Sequence, residues 1–211
     1  MSGLRARVAV GLVLGAVLLT GCGSEESSDG AASSAGGSSD RELQLPDGLG
    51  DLQPYEGACA ALEGDAQQRC TEAAAGATKA VDAAADNLSA AYDDASAAGG
   101  YYVDEGFERM VQVFAVAAAS PGLWTTDSEA AAERQQLGHP MEWVEESDGA
   151  QCVVRSQSPV PQGEELDPED VVVLRCQQAG DDLTVTVVPG GEATPEDALA
   201  WTGEAFDELA G

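Results

Sequence analysis

Met141–Ser156 reads MEWVEESDGAQCVVRS. Apolar and polar side chains alternate on both sides of Asp148-Gly149, a dipeptide that accepts the left-handed backbone of a two-residue hairpin turn. A turn at that point opposes Trp143 to Val154 and Glu145 to Cys152, and it puts Trp143, Cys152 and Val154 on one face. Two further runs, VVVLRCQ from Val171 and LTVTVV from Leu183, meet around Gly180. On the same alternation Val172, Leu174 and Cys176 share a face, opposed by Leu183, Val185 and Val187. These four runs predict an antiparallel meander. If strand 150–157 lies beside strand 170–178, Cys152 faces Cys176.

Upstream the period changes. Apolar and small residues fall at Leu62, Ala66, Cys70, Ala73, Ala77, Val81, Ala84, Leu88, Ala91 and Ala95. Steps of three and four predict one long helix, which Gly99-Gly100 would stop. A second helix is expected over roughly Val103–Ala119, its buried face marked by Val103, Phe107, Met110, Phe114 and Ala118 and its end by Ser120-Pro121-Gly122. A third spans roughly Ser128–Leu137, capped by Thr126 or Asp127 and closed by Gly138 and Pro140. After the meander, Thr194-Pro195 opens a helix that runs to about Leu209. Asp197, three residues after Thr194, suggests a capping box, and Leu199, Trp201, Ala205, Phe206 and Leu209 face the sheet. The expected fold class is therefore α+β: a helical N-terminal half, a four-stranded antiparallel meander and a C-terminal helix. No internal repeat is present.

Of the five cysteines, Cys59, Cys70, Cys152 and Cys176 lie in this region. An even number suggests two disulfides, for which three pairings exist. Zinc is the rival, but zinc sites favour Cys-x-x-Cys spacing. Cys59 and Cys70 on one continuous helix would stand about 16 Å apart, whereas a disulfide needs Cα atoms within about 7 Å. Their pairing thus requires a break, which Gly64 offers, with Asp65 as a cap for the long helix. Each bridge would stabilise the fold by roughly 3 kcal/mol.

The chain begins with Arg5 and Arg7, then an apolar run from Val8 to Thr20, too short to span a bilayer. That layout is a secretory signal. The run ends in Leu19-Thr20-Gly21-Cys22, which resembles the lipobox of bacterial prolipoproteins, Leu-small-small-Cys. The resemblance covers the first 22 residues. It implies a lipid on Cys22, cleavage before it, and a mature chain held by its acyl chains on the extracytoplasmic face of the cell membrane. Residues 1–21 are then the signal peptide. Residues 22–51 are the lipidated cysteine and an acidic Ser/Gly tether too polar to fold, with a coil span of roughly 30 Å. Residues 52–211 form a single extracytoplasmic domain.

The whole chain carries a net charge of −29. Without residues 1–22 it keeps 38 acidic and 7 basic side chains, for −31. Nucleic acid is excluded as a partner, since binding its backbone needs Lys and Arg. Anionic head groups should repel the domain as well.

Chemistry-bearing motifs are few. The one histidine, His139, lies between Gly138 and Pro140, with no Gly-x-Ser-x-Gly turn to accompany it. Acid pairs such as Asp93-Asp94 and Glu145-Glu146 are too common to single out two catalytic carboxylates. The loop EELDPED concentrates Glu164, Glu165, Asp167, Glu169 and Asp170, a candidate calcium site whose spacing departs from an EF-hand. It belongs to a long connection, Gln157–Glu169, stiffened by Pro159, Pro161 and Pro168, and long connections often carry recognition. Tyr101, Tyr102 and Trp124 can line a ligand groove or pack in the core. No cofactor motif is present. The function expected first is a membrane-anchored, non-enzymatic binding module for an extracytoplasmic envelope protein or component. A binder of a small ligand or of calcium comes second, and an enzyme resting on carboxylates alone third.

Overall fold

The computed structural model describes residues 42–211. Cys22, expected to carry the lipid, and residues 23–41 of the expected tether lie outside the described residues. Along the chain come β1 (Gln53–Pro54), α1 (Tyr55–Ala60), α2 (Gly64–Ala91), β2 (Ala97–Val103), β3 (Arg109–Val116), α3 (Glu129–Arg134), β4 (Glu142–Ser147), β5 (Ala150–Ser156), β6 (Val171–Ala179), β7 (Thr184–Gly191) and α4 (Pro195–Ala210). Among the described residues the strands form one antiparallel sheet of seven, in the order β1-β2-β3-β7-β6-β5-β4.

This corrects the expected fold class. The N-terminal half is not helical throughout, and the sheet is not a four-stranded meander that follows it. Residues expected as a second helix form β3 and the hairpin turn before it. The segment RMVQVFAV satisfies both periods, but its valines at 111, 113 and 116 favour a strand. Val111, Val113 and Ala115 enter the core on the period-two reading. All eight residues of β3 pair with β7, from Arg109↔Gly191 to Val116↔Thr184. Phe107, expected on a buried helical face, instead takes φ 59° in the turn.

Gly99-Gly100 also has a different role. Both residues lie within β2, and the α2 helix has already ended at Ala91. A Cβ on Gly99 would stand 2.7 Å from the Val81 carbonyl oxygen of α2. The missing side chain lets the helix backbone rest on the strand. A Cβ on Gly100 would meet Leu45 on the opposite face. The sheet is therefore covered on both sides. Helix α2 packs on β2 and β3 with α1 beside it on β1 and β2, and on the other face α4 packs on β5, β6 and β7. Only Ala74, Val81 and Ala85 of α2 are fully buried, so this long helix keeps most of its circumference in water.

The core on the α4 face joins Val111, Val113, Cys152, Val154, Cys176, Val185 and Val187 to Ala198, Trp201, Ala205 and Leu209. It also takes in Leu43, Leu49 and Leu52, so it draws on residues assigned to the tether. Glu204 fixes this segment by accepting a hydrogen bond from the Gly50 N–H at 3.0 Å.

The β4–β5 hairpin has the register set by Asp148-Gly149: Trp143↔Val154 and Glu145↔Cys152. Asp148 and Gly149 both adopt positive φ, 49° and 89°. Cys152 bonds to Cys176 directly across the ladder, and Cys59 bonds to Cys70. The latter bridge spans the break between α1 and α2, where Gly64 has φ 59°. Glu63 is the cap position of α2 and makes no side-chain cap bond, so Asp65 is not the cap. Ser128, not Thr126 or Asp127, caps α3. Thr194 and Asp197 form the complete capping box of α4.

Candidate functional site

The most distinctive feature of the sheet is a split between β6 and β7. These strands pair only over Cys176–Ala179 and Thr184–Val187. Val171, Val172, Val173 and Arg175 remain paired with β5 alone, and Val188–Gly191 with β3 alone.

The hydrogen-bond phase explains why the ladder stops. The Gly180 N–H donates to the Leu183 carbonyl, so the bonding pairs of β6 and β7 are Gln178↔Val185 and Cys176↔Val187. The next would be Leu174↔Pro189. Neither residue can make it. Pro189 has no N–H. The Asp104 N–H donates to the Arg109 carbonyl, which turns the odd-numbered residues of β3 toward β2 and its even-numbered residues toward β7. Pro189 is thereby placed at a non-bonding position with β3, so its missing donor falls on the β6 side.

Leu174 is lost for a second reason. In the β5–β6 ladder Val153 opposes Arg175 while Val154 opposes Val173, so Leu174 is an extra residue in a bulge. Beyond it the phase of β6 is shifted by one. The Gln157 N–H donates to the Asp170 carbonyl, so Val172 bonds toward β5 and Val173 turns its N–H and C=O toward β7. The residue that would oppose Val173 is Gly190, whose polar groups face β3. The bulge thus sets β6 out of phase with β7, and the strands part. The same shift moves the core positions from Val172 and Leu174, expected from strict alternation, to Val171 and Val173.

The gap opens a groove of about 740 Å³, within the range of small-molecule and peptide sites. Its walls are Val171, Val172 and Val173 on one side, and Pro189, Gly190 and Gly191 on the other. Gln157, Pro168 and Glu169 from the long connection close one end, and Glu192 to Pro195 run along the rim. The lining mixes apolar side chains with the polar Gln157 and Thr194 and two carboxylates, Glu169 and Glu192, and it contains no lysine or arginine. Sequence reasoning pointed to the long connection but not to the groove. The available signal was Pro189-Gly190-Gly191 directly after a valine-rich strand.

The acidic-loop residues do not converge on a point. Glu164, Glu165, Asp167 and Glu169 are exposed and Asp170 is half-buried. Asp167 caps a short 3-10 turn by accepting from the Glu169 N–H at 3.0 Å. Among the described residues no three His, Cys, Asp or Glu side chains form a group that could hold a metal ion. His139 lies in a separate crevice with its ring edge-on to Trp143, centroids 4.3 Å apart, and Nδ1 is 2.9 Å from the Pro140 carbonyl oxygen. Among the described residues no serine, cysteine or carboxylate hydrogen-bonds to that ring. Tyr102 is a core residue whose hydroxyl donates to the Pro46 carbonyl at 2.7 Å, and burial, then Glu208 and Asp47, pushes its pKa up to about 12. Tyr101 packs on Tyr55, while Trp124 is 69% exposed.

One ion-paired cluster ties the first described segment to the β2–β3 hairpin. Asp104 accepts from the N–H groups of Glu108 and Arg109 and from Arg109 Nε. Arg109 also pairs with Asp51 and lies over the Trp201 ring. Burial alone would push the Asp104 carboxyl up. The backbone N–H groups of Arg109 and Glu108 and the Arg109 guanidinium outweigh it and hold the carboxyl below its ordinary value. Among the described residues no helix is long and apolar enough to cross a membrane. Family models, curated proteins and solved structures all fail to match this chain.

Proposed function

We propose that this chain is a lipoprotein tethered through Cys22 to the extracytoplasmic face of the cell membrane, and that it presents the β6–β7 groove as a non-enzymatic binding site for an envelope protein. The observation that carries this reading is the split itself. Central strands of a sheet ordinarily satisfy one another's backbone, and an opening there exposes polar groups and valine side chains together. The tether holds the domain near the membrane, while its charge keeps it off anionic head groups. The carboxylates of the acidic loop diverge, so the groove supports this reading better than the cation site does.

The experiment places a photo-crosslinking amino acid at position 192 on the groove rim, and in a second strain at Ala83 on the exposed side of α2. The full chain is made in cells with Cys22 intact. The expected result is one reproducible protein adduct from position 192 and none from position 83, with the chain in the membrane fraction and Cys22→Ser releasing it. Equal adducts from both positions, or none from 192, would overturn the groove as the site. Membrane retention of Cys22→Ser would overturn the tether.

A further inference from the structure

We infer that the groove takes an extended, basic segment of a protein partner as an added strand lying between β6 and β7. This rests on the groove being the binding site and adds what it binds and how. The first support is backbone. Val173 turns both its N–H and its C=O into the gap, and the Pro189 C=O faces the same space with no strand partner. The Val171 N–H is taken by the Pro168 carbonyl, which leaves its C=O directed into the gap. A peptide in β conformation supplies donors and acceptors at the spacing these groups need. The unpaired stretches, Val171–Arg175 and Val188–Gly191, have room for about four or five residues at roughly 3.3 Å each.

The second support is side-chain chemistry. Valines 171 to 173, Pro189, Ala193 and Pro195 offer apolar contact to alternate side chains of the incoming strand. Glu169 and Glu192 stand at the edges, Asp170 follows Glu169 in sequence, and Glu196 and Asp197 follow the lining residue Pro195. The α4 N-terminus would favour an anion, but its capping box closes it and two acids occupy its first turn. The field at the groove is therefore negative and selects a basic occupant. Charge disfavours two other occupants. The chain's own SEESSDGAASSAGGSSD stretch contains acids and no base, and a second copy is as acidic as the first.

The test uses the full-length chain in detergent and a fluorescent octapeptide of alternating Lys and Val. Three competitors accompany it: the unlabelled peptide, the same peptide N-methylated at alternate residues, and an alternating Glu and Val peptide. Fluorescence anisotropy reads binding, and residue-resolved amide exchange reads location. The expected outcome is saturable binding that weakens as salt rises, at least tenfold weaker competition by the N-methylated and Glu peptides, and at least tenfold slower exchange at Val173 when the Lys peptide is bound. Equal competition by the N-methylated peptide, or unchanged exchange at Val173, would overturn strand addition. Crosslinks from position 192 would then still support the groove, whereas their absence would remove both readings. Stronger competition by the Glu peptide would overturn the charge argument. Protection of Val173 that rises with protein concentration, without peptide, would make a second copy the occupant and overturn the proposal.

Discussion

Replacing Gly99 with alanine tests how α2 is seated. An added Cβ would lie 2.7 Å from the Val81 carbonyl oxygen, 3.1 Å from its carbon and 3.3 Å from its Cβ. The nearest obstacle is helix backbone, so no side chain can rotate away. Restoring ordinary contact, at about 3.4 Å, requires α2 to rise by about 0.7 Å, and a gap of that size removes a quarter or more of the dispersion energy of each lining contact. The helix has little in reserve, because only Ala74, Val81 and Ala85 are fully buried. Overpacking of this kind costs about 1–3 kcal/mol, and in a domain of this size each kcal/mol lowers Tm by roughly 2–4 °C. Gly76→Ala on the same helix is the matched control. A Cβ there meets nothing within 4 Å, and replacing a mid-helix glycine should stabilise by about 0.5–1 kcal/mol. Thermal unfolding followed by circular dichroism should therefore shift down for Gly99→Ala and up for Gly76→Ala. A Gly99→Ala protein that melts with the wild type would refute the close seating of α2 on β2.

Three more outcomes follow from individual contacts. The folded-state pKa of Asp104 is depressed, so its contribution is fully present above the unfolded carboxylate pKa of about 4 and is lost as pH falls through the lower folded value. Urea midpoints should show wild type above Asp104→Asn at pH 7, with the gap narrowing below about pH 4; a gap independent of pH would contradict this. Thr194→Ala removes the acceptor for the Asp197 N–H and should cost about 1 kcal/mol, visible as a lower urea midpoint at unchanged slope. Replacing Cys59 and Cys70 together with serine should cost less than replacing Cys152 and Cys176, because the former pair closes the shorter loop, with a sequence separation of 11 against 24. The reverse order of melting temperatures would count against the chain-entropy account.

Legibility in the sequence followed how local the determining physics was. Asp148-Gly149 specifies its hairpin because two consecutive left-handed residues are needed, and that turn alone sets the register to Cys152. Thr194-Pro195 with Asp197 defines the α4 start from four adjacent residues. The segment 97–119 was not legible. Val103, Phe107, Met110, Phe114 and Ala118 fit a helical stripe as well as Val111, Val113 and Ala115 fit a strand, and the choice is made by pairing with β7, more than 65 residues downstream. Gly99-Gly100 reads as a stop signal, whereas its use is close approach of a helix that ended at Ala91. Leu43 and Leu49 sit among polar residues that look like tether, and only the distant α4 gives them a core to join. The groove depends on two separated events, the bulge at Leu174 and the proline at 189, which face each other only once β6 and β7 are aligned.

The central claim, a sheet split by that phase mismatch, is tested most directly by residue-resolved amide hydrogen exchange on the free full-length protein. The account predicts alternation across the bulge. The Val173 amide should exchange fast, since it points into the gap, while Val172, bonded to β5, and Val187, bonded to Cys176, should be slow. Uniform slow exchange through Val171–Arg175 would mean that β6 and β7 form a continuous ladder, and both the groove and the function built on it would fall.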